Sequence, residues 1–143
     1  MTSADPPTDP RWRLIYDRDC GFCRTALGLI LRADRGCRLR PLALGTGEAD
    51  DLLADLTPDR REASWHLVSP EGHRESAGAA GPPLLRLLPG GQAPAAVLAR
   101  FPDLTERAYE WVAEHRSTFS HALPDSAKER ATKLIETRSN AKG

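Results

Sequence analysis

The sequence predicts an α/β domain, a small mixed sheet with helices on its faces and a helical C-terminal part. Three observations predict it. A strand-like run, a helical run and a second strand-like run follow one another with short joins over residues 11–44. Two further strand-like runs are joined by Ser69-Pro70-Glu71-Gly72, which fits a type I turn with proline at its second position. From residue 82 onward the patterns are helical.

Residues 1–10, rich in Pro, Asp and Thr, read as a flexible leader. Residues 11–17 form the first strand, with Trp12, Leu14 and Tyr16 alternating with Arg11, Arg13 and Ile15. The segment Asp17-Arg18-Asp19-Cys20-Gly21-Phe22-Cys23 leads into a helix that runs from residue 20 or 21 to residue 34 or 35. Ala26, Leu27, Ile30 and Leu31 give it an apolar face, and Gly36 supplies a stop. Residues 37–44 are a second strand, completing a βαβ unit that should be parallel and right-handed.

A turn at 45–50 precedes a short helix at 50–56 with Leu52, Leu53 and Leu56 on one side, and 58–62 reads as a polar loop. Trp65-His66-Leu67-Val68 and residues 73–76 are the hairpin strands. Residues 78–81 are small and carry no pattern. Helices follow at 82–88 and 94–100, each closed by Pro or Pro-Gly. The longest helix begins near residue 103, its stripe being Leu104, Ala108, Trp111, Val112, His115 and Phe119. Residues 123–143 read as a polar, mobile tail, in which Ala131, Leu134 and Ile135 would line a small helix. The organisation predicted is thus a leader at 1–10, one domain at 11–122 and the tail.

The chain has 143 residues, enough to bury roughly two-thirds of its unfolded surface without disulfide staples. Lys plus Arg equals Asp plus Glu, so nothing draws it to nucleic acid or an anionic membrane. No apolar run approaches the ~18 residues of a membrane span, and the leader lacks the basic and apolar regions of a signal peptide. A cytoplasmic location is the expectation. Three cysteines in such a chain point to catalysis or metal binding rather than a scaffold.

Cys20 and Cys23 therefore carry the chemistry. A Cys-x-x-Cys pair at a helix start sits among unpaired backbone N–H groups and the positive end of the helix dipole, which favour a thiolate. The three-residue spacing places the second sulfur within disulfide reach. Cys20, nearest the helix end, is the candidate nucleophile, and Cys23, one turn in, would resolve the mixed disulfide. A Cys-x-x-Cys beside a βαβ unit is the pattern of the thioredoxin-like plan.

The stretch Ile15-Tyr16-Asp17-Arg18-Asp19-Cys20-Gly21-Phe22-Cys23 resembles the DCC family of thiol–disulfide oxidoreductases. That family carries Asp-x-x-Cys-x-x-Cys on a thioredoxin-like fold, here Asp17, Cys20 and Cys23. Residues 65–72 look like its hairpin and 109–116 like its closing helix, so the resemblance spans about 12–122. It implies protein-disulfide reductase-type activity and a chemical role for Asp17. A carboxylate under the pair would take the proton from Cys23. Thioredoxins carry Trp before the first cysteine and Pro between the two, where this chain has Asp19 and Gly21-Phe22. Their cis-proline also has no counterpart in Glu62-Ala63-Ser64.

Other residues are read as structural. Asp19 would cap the helix, Arg18 and Arg24 would offset the carboxylates, and Cys37 would be a small buried hydrophobe. Trp65 and Trp111 fall on core faces, and His66 is a strand residue. His115 and His121 do not match zinc spacing. Gly45-Thr46-Gly47 is followed by Asp50 where a dinucleotide fingerprint needs Gly. No bound cofactor is expected; the partners would be a disulfide-containing protein or small-thiol substrate and an external electron donor. Two rivals stand beside this reading: a zinc module using Cys20, Cys23, Cys37 and one histidine, and an interaction domain that keeps the scaffold without turnover.

Overall fold

The structure, a computed structural model, describes residues 9–140. Most of the expected leader and the last three residues of the expected tail lie outside the described residues. Four strands form one sheet in the order β2-β1-β3-β4: β1 is Trp12–Tyr16, β2 Leu39–Ala43, β3 His66–Val68 and β4 Arg74–Ser76. β1 and β2 are parallel, with Leu14 opposite Pro41, while β1–β3 and β3–β4 are antiparallel. Pro41 is tolerated because β2 is an edge strand. This is the thioredoxin-like arrangement.

Alternation along the strands divides the core. Leu14, Tyr16, Leu39 and Leu67 face one side, where α1 (Gly21–Ala33) supplies Leu27 and Leu31. Ile15, Leu42 and Val68 face the other, under Ala49 and Leu53 of α2 (Gly47–Leu52) and the turn after it. Each of these fully buried leucines contributes about 2–3 kcal/mol. The hairpin follows its turn chemistry: the Gly72 N–H donates to the Ser69 carbonyl at 2.9 Å, and Gly72 has φ +94°.

α1 stops for a reason the sequence reading misplaced. Asp34, fully buried, turns its carboxylate onto the N–H groups of Arg38 (3.0 Å) and Leu39 (2.9 Å), fixing the turn into β2. The left-handed residue of that turn is Cys37, at φ +52°, and not Gly36. Cys37 is exposed and precedes the strand, so it is no buried hydrophobe.

Beyond β2 the chain has more helix than expected. The segment read as a polar loop is α3 (Pro58–Ala63), started by Thr57 and by Pro58 at its first position. After β4 a 3-10 turn at Ala77–Ala80 leads into α4 (Gly81–Leu87) and α5 (Gln92–Arg100). The expected long helix is broken in two, α6 (Pro102–Glu114) and α7 (Arg116–Ala122). At the break, His115 Nδ1 donates to the Trp111 carbonyl at 2.7 Å, and the His115 N–H is shared between Trp111 and Val112. The inward face of α6 is Thr105, Tyr109, Val112 and Ala113, turned from the stripe drawn through Leu104 and Trp111. Those two are 64% and 54% exposed, so Trp111 is not a core residue.

Residues 125–140, read as part of a mobile tail, are α8 (Asp125–Asn140), packed along α1 with Ala131 and Ile135 buried. Few apolar residues suffice because the helices approach closely at Gly28. A Cβ there would lie 2.7 Å from Ala131 Cβ and 2.9 Å from Ala131 Cα. Gly28→Ala should therefore push α8 off and cost about 1–3 kcal/mol in urea unfolding. Pairing it with Ala131→Gly should restore part of the loss, whereas an unchanged midpoint for the single variant would refute the close approach.

A second prediction concerns β3. His66 is 1% exposed, with Nδ1 2.6 Å from Ser76 Oγ and Nε2 3.0 Å from the Arg61 carbonyl. The carbonyl must accept, so Nε2 carries the hydrogen and the neutral ring accepts from Ser76 at Nδ1. Burial, helped by the nearby Arg74 charge, holds its pKa below the ordinary 6.5. The unfolded chain then binds a proton more readily. His66 contributes stability that is complete above pH 6.5 and is lost as the pH falls through the lower folded value. Urea midpoints from pH 8 to 4.5 should show this slope in the native chain and a shallower one in His66→Gln.

Candidate active site

The loop between β1 and α1 is built by short-range bonds. Asp17 Oδ1 accepts from the Asp19 N–H at 2.9 Å, and the Asp17 carbonyl accepts from the Cys20 N–H at 3.3 Å. Cys20 then occupies the N-cap in an extended conformation. Its own sulfur is the cap acceptor, 3.2 Å from the Cys23 N–H. Asp19, expected to cap, stands exposed one residue too early. Arg24 donates to the Arg18 carbonyl and ties the loop to the helix.

A distant segment completes the helix start. Ser120 Oγ of α7 accepts from the Phe22 N–H at 2.8 Å, and the Phe22 and Phe119 rings lie 5.3 Å apart. The break at His115 gives α7 a direction of its own, toward this end of α1, and opens it with Arg116. Arg116 lies beside Cys23.

The two sulfurs are in different surroundings. Burial pushes the Cys23 thiol up to about 12, aided by its hydrogen bond to Cys20 and the charge there; Arg116 opposes the rise. Cys23 also opens on a cavity of about 590 Å³ between α1 and the α4–α6 helices. Ala26, Leu85 and Val112 are typical of its wall, and Asp17 and Arg116 are the charged residues in it. Cys20 does not line it. Tyr109 closes one side, its ring stacked 5.8 Å from Trp65 and its hydroxyl accepting from the Trp65 N–H at 3.1 Å. Burial raises the pKa of that phenol.

Of the residues singled out from sequence, Asp17, Cys20 and Cys23 come together. Cys37 lies beyond the far end of α1, about 20 Å along the helix axis from Cys20. It is too far to resolve a disulfide there or to share a metal. Among the described residues no group of three or more His, Cys, Asp or Glu gathers for a metal, so the zinc arrangement is not assembled. Among the described residues there is also no cis peptide bond. Sequence reasoning missed Arg116, Ser120 and Tyr109. Arg116 and Tyr109 fell inside the stretch likened to a closing helix, but one unbroken helix gave them no address.

The model of one protein family, described as DCC1-like thiol-disulfide oxidoreductase, matches residues 14–122. No curated protein and no solved structure matches the chain. No helix among the described residues is long and apolar enough to cross a membrane.

Proposed function

The chain belongs to the DCC1-like thiol-disulfide oxidoreductase family, and on that premise we propose that it is a protein-disulfide reductase acting through Cys20 and Cys23. The observation that carries the reading is the asymmetry of the pair. One sulfur is held at the helix start by a backbone N–H, and the other is a half-buried thiol that desolvation pushes up to about 12. The Cys20 thiolate attacks a substrate disulfide, forms a mixed disulfide and releases one substrate thiolate. Cys23 gives its proton to Asp17, which lines the same cavity, and attacks Cys20 sulfur. The second substrate thiolate leaves. The substrate has gained two electrons, and the pair has lost two as the Cys20–Cys23 disulfide. Arg116 favours Cys23 as the thiolate that this second step needs. In the cytoplasm, the setting we propose, a thiol donor must then return the pair to the dithiol.

The test is the equilibrium of the pair against a glutathione series, read by alkylation and intact mass. A reversible two-electron transition with a midpoint near the roughly −270 mV of thioredoxin supports a reductase; one near about −120 mV makes it an oxidant. A pair that stays reduced throughout sinks the redox reading.

A further inference from the structure

Thiol–disulfide exchange is an in-line displacement: the attacking sulfur, the sulfur attacked and the departing sulfur lie nearly on one line. When Cys23 resolves a mixed disulfide on Cys20, the substrate sulfur must therefore leave on the side of Cys20 away from Cys23. The cavity of about 590 Å³ is on the opposite side, against Cys23 and not Cys20. It is badly placed for the disulfide being reduced. It is well placed for the reverse line, in which a thiol attacks Cys23 and expels Cys20. The departing Cys20 sulfur then falls back to accept from the Cys23 N–H that it caps.

We propose that this cavity binds the electron donor of the enzyme, an apolar small-molecule dithiol, which re-reduces the Cys20–Cys23 disulfide by attacking Cys23. The proposal rests on the redox reading above and adds to it the class of reductant and the sulfur attacked. The volume is that of a small-molecule site, and the wall is apolar over nearly all of its extent. Its charged residues are Asp17 and Arg116, and Arg116 stands at the Cys23 end. The guanidinium there meets the incoming thiolate and, later, the Cys23 thiolate that departs. The first thiol of the donor bonds to Cys23 and releases Cys20. The second displaces Cys23 and closes the donor into a cyclic disulfide. Two electrons pass to the pair, and the two donor protons end on Cys20 and Cys23. A dithiol completes this alone, whereas a monothiol would need a second molecule in a cavity already filled.

The test uses the oxidised full chain and compares dihydrolipoamide with dithiothreitol, a polar dithiol, by acid quench, alkylation and mass. The apolar dithiol should reduce the pair at least about tenfold faster, the gain that two buried methylenes supply. Filling the cavity from either wall, with Ala26→Phe or Val112→Trp, should bring the ratio of the two rates toward one in variants that retain native circular dichroism. With 1-octanethiol, quenched early and peptide-mapped, the octyl adduct should sit on Cys23. Equal rates in the native chain, an unchanged ratio in both filled variants, or an adduct on Cys20 overturns the proposal while leaving the redox reading intact. A pair that forms no disulfide, or that dithiothreitol cannot reduce, overturns both.

Discussion

Cys20→Ser is expected to reduce disulfide-reductase turnover by about three orders of magnitude or more, the scale of losing a nucleophile. Cys23→Ser should instead stall. It should accumulate one equivalent of substrate bound through Cys20, visible as an adduct in intact mass under non-reducing conditions. The difference follows from the surroundings of the two sulfurs. Cys20 stands at the rim of α1 against a backbone N–H, whereas Cys23, half-buried, is pushed up to about 12 by desolvation, unfit for first attack but adjacent to Cys20. The same pair of variants separates an enzyme from an inert binding scaffold. If Cys20→Ser and the native chain bind and process a disulfide substrate equally, the assignment of Cys20 is wrong.

The largest effect on stability should come from Asp34→Ala. Its fully buried carboxylate serves three donors, the N–H groups of Arg38 and Leu39 and, at 3.1 Å, the Arg138 guanidinium of α8. Removing the acceptor strands the two backbone N–H groups, and the guanidinium keeps its bonds to the Leu31 and Asp34 carbonyls but loses its counter-charge in a nearly closed site. The cost should be about 3–5 kcal/mol, measured as a lower urea midpoint at constant slope. Asp34→Asn, which keeps an oxygen but no charge, should fall between. A loss for Asp34→Ala below about 1 kcal/mol, the level of an exposed ion pair, would contradict the burial.

What could be read from the sequence is what local pattern determines. β1, α1 and the β3–β4 hairpin were legible because alternation, the apolar stripe and Pro70-Glu71-Gly72 each declare their element within a few residues. Asp17, Cys20 and Cys23 were legible as a group because seven consecutive residues contain them. The losses have physical causes. α3 buries none of its six residues, so it has no stripe to find, only the Thr57-Pro58 start. The α6–α7 break depends on a side chain, His115, competing for a carbonyl of its own helix. Ala131, Leu134 and Ile135 announced a small helix in the expected tail, but not its length or its docking, because the close approach to α1 rests on Gly28 against Ala131, which leaves no mark in the hydrophobicity pattern. Cys37 was misread because its left-handed backbone is imposed by Asp34 capping the turn, a bond across several residues.

The capping of Phe22 by Ser120, 98 residues later, has a consequence for synthesis. Translation at about 5–20 residues per second separates the redox pair from its finishing residue by about 5–20 s. During that interval the nascent chain carries a Cys-x-x-Cys without α7 over it and without Arg116 at its side. Each new molecule thus passes through a stage in which the pair has only its local helix start, without the cover of α7 or the charge of Arg116. The part of their difference that comes from Arg116 and α7, and the partner preference that depends on it, is conferred only when the last third of the polypeptide arrives.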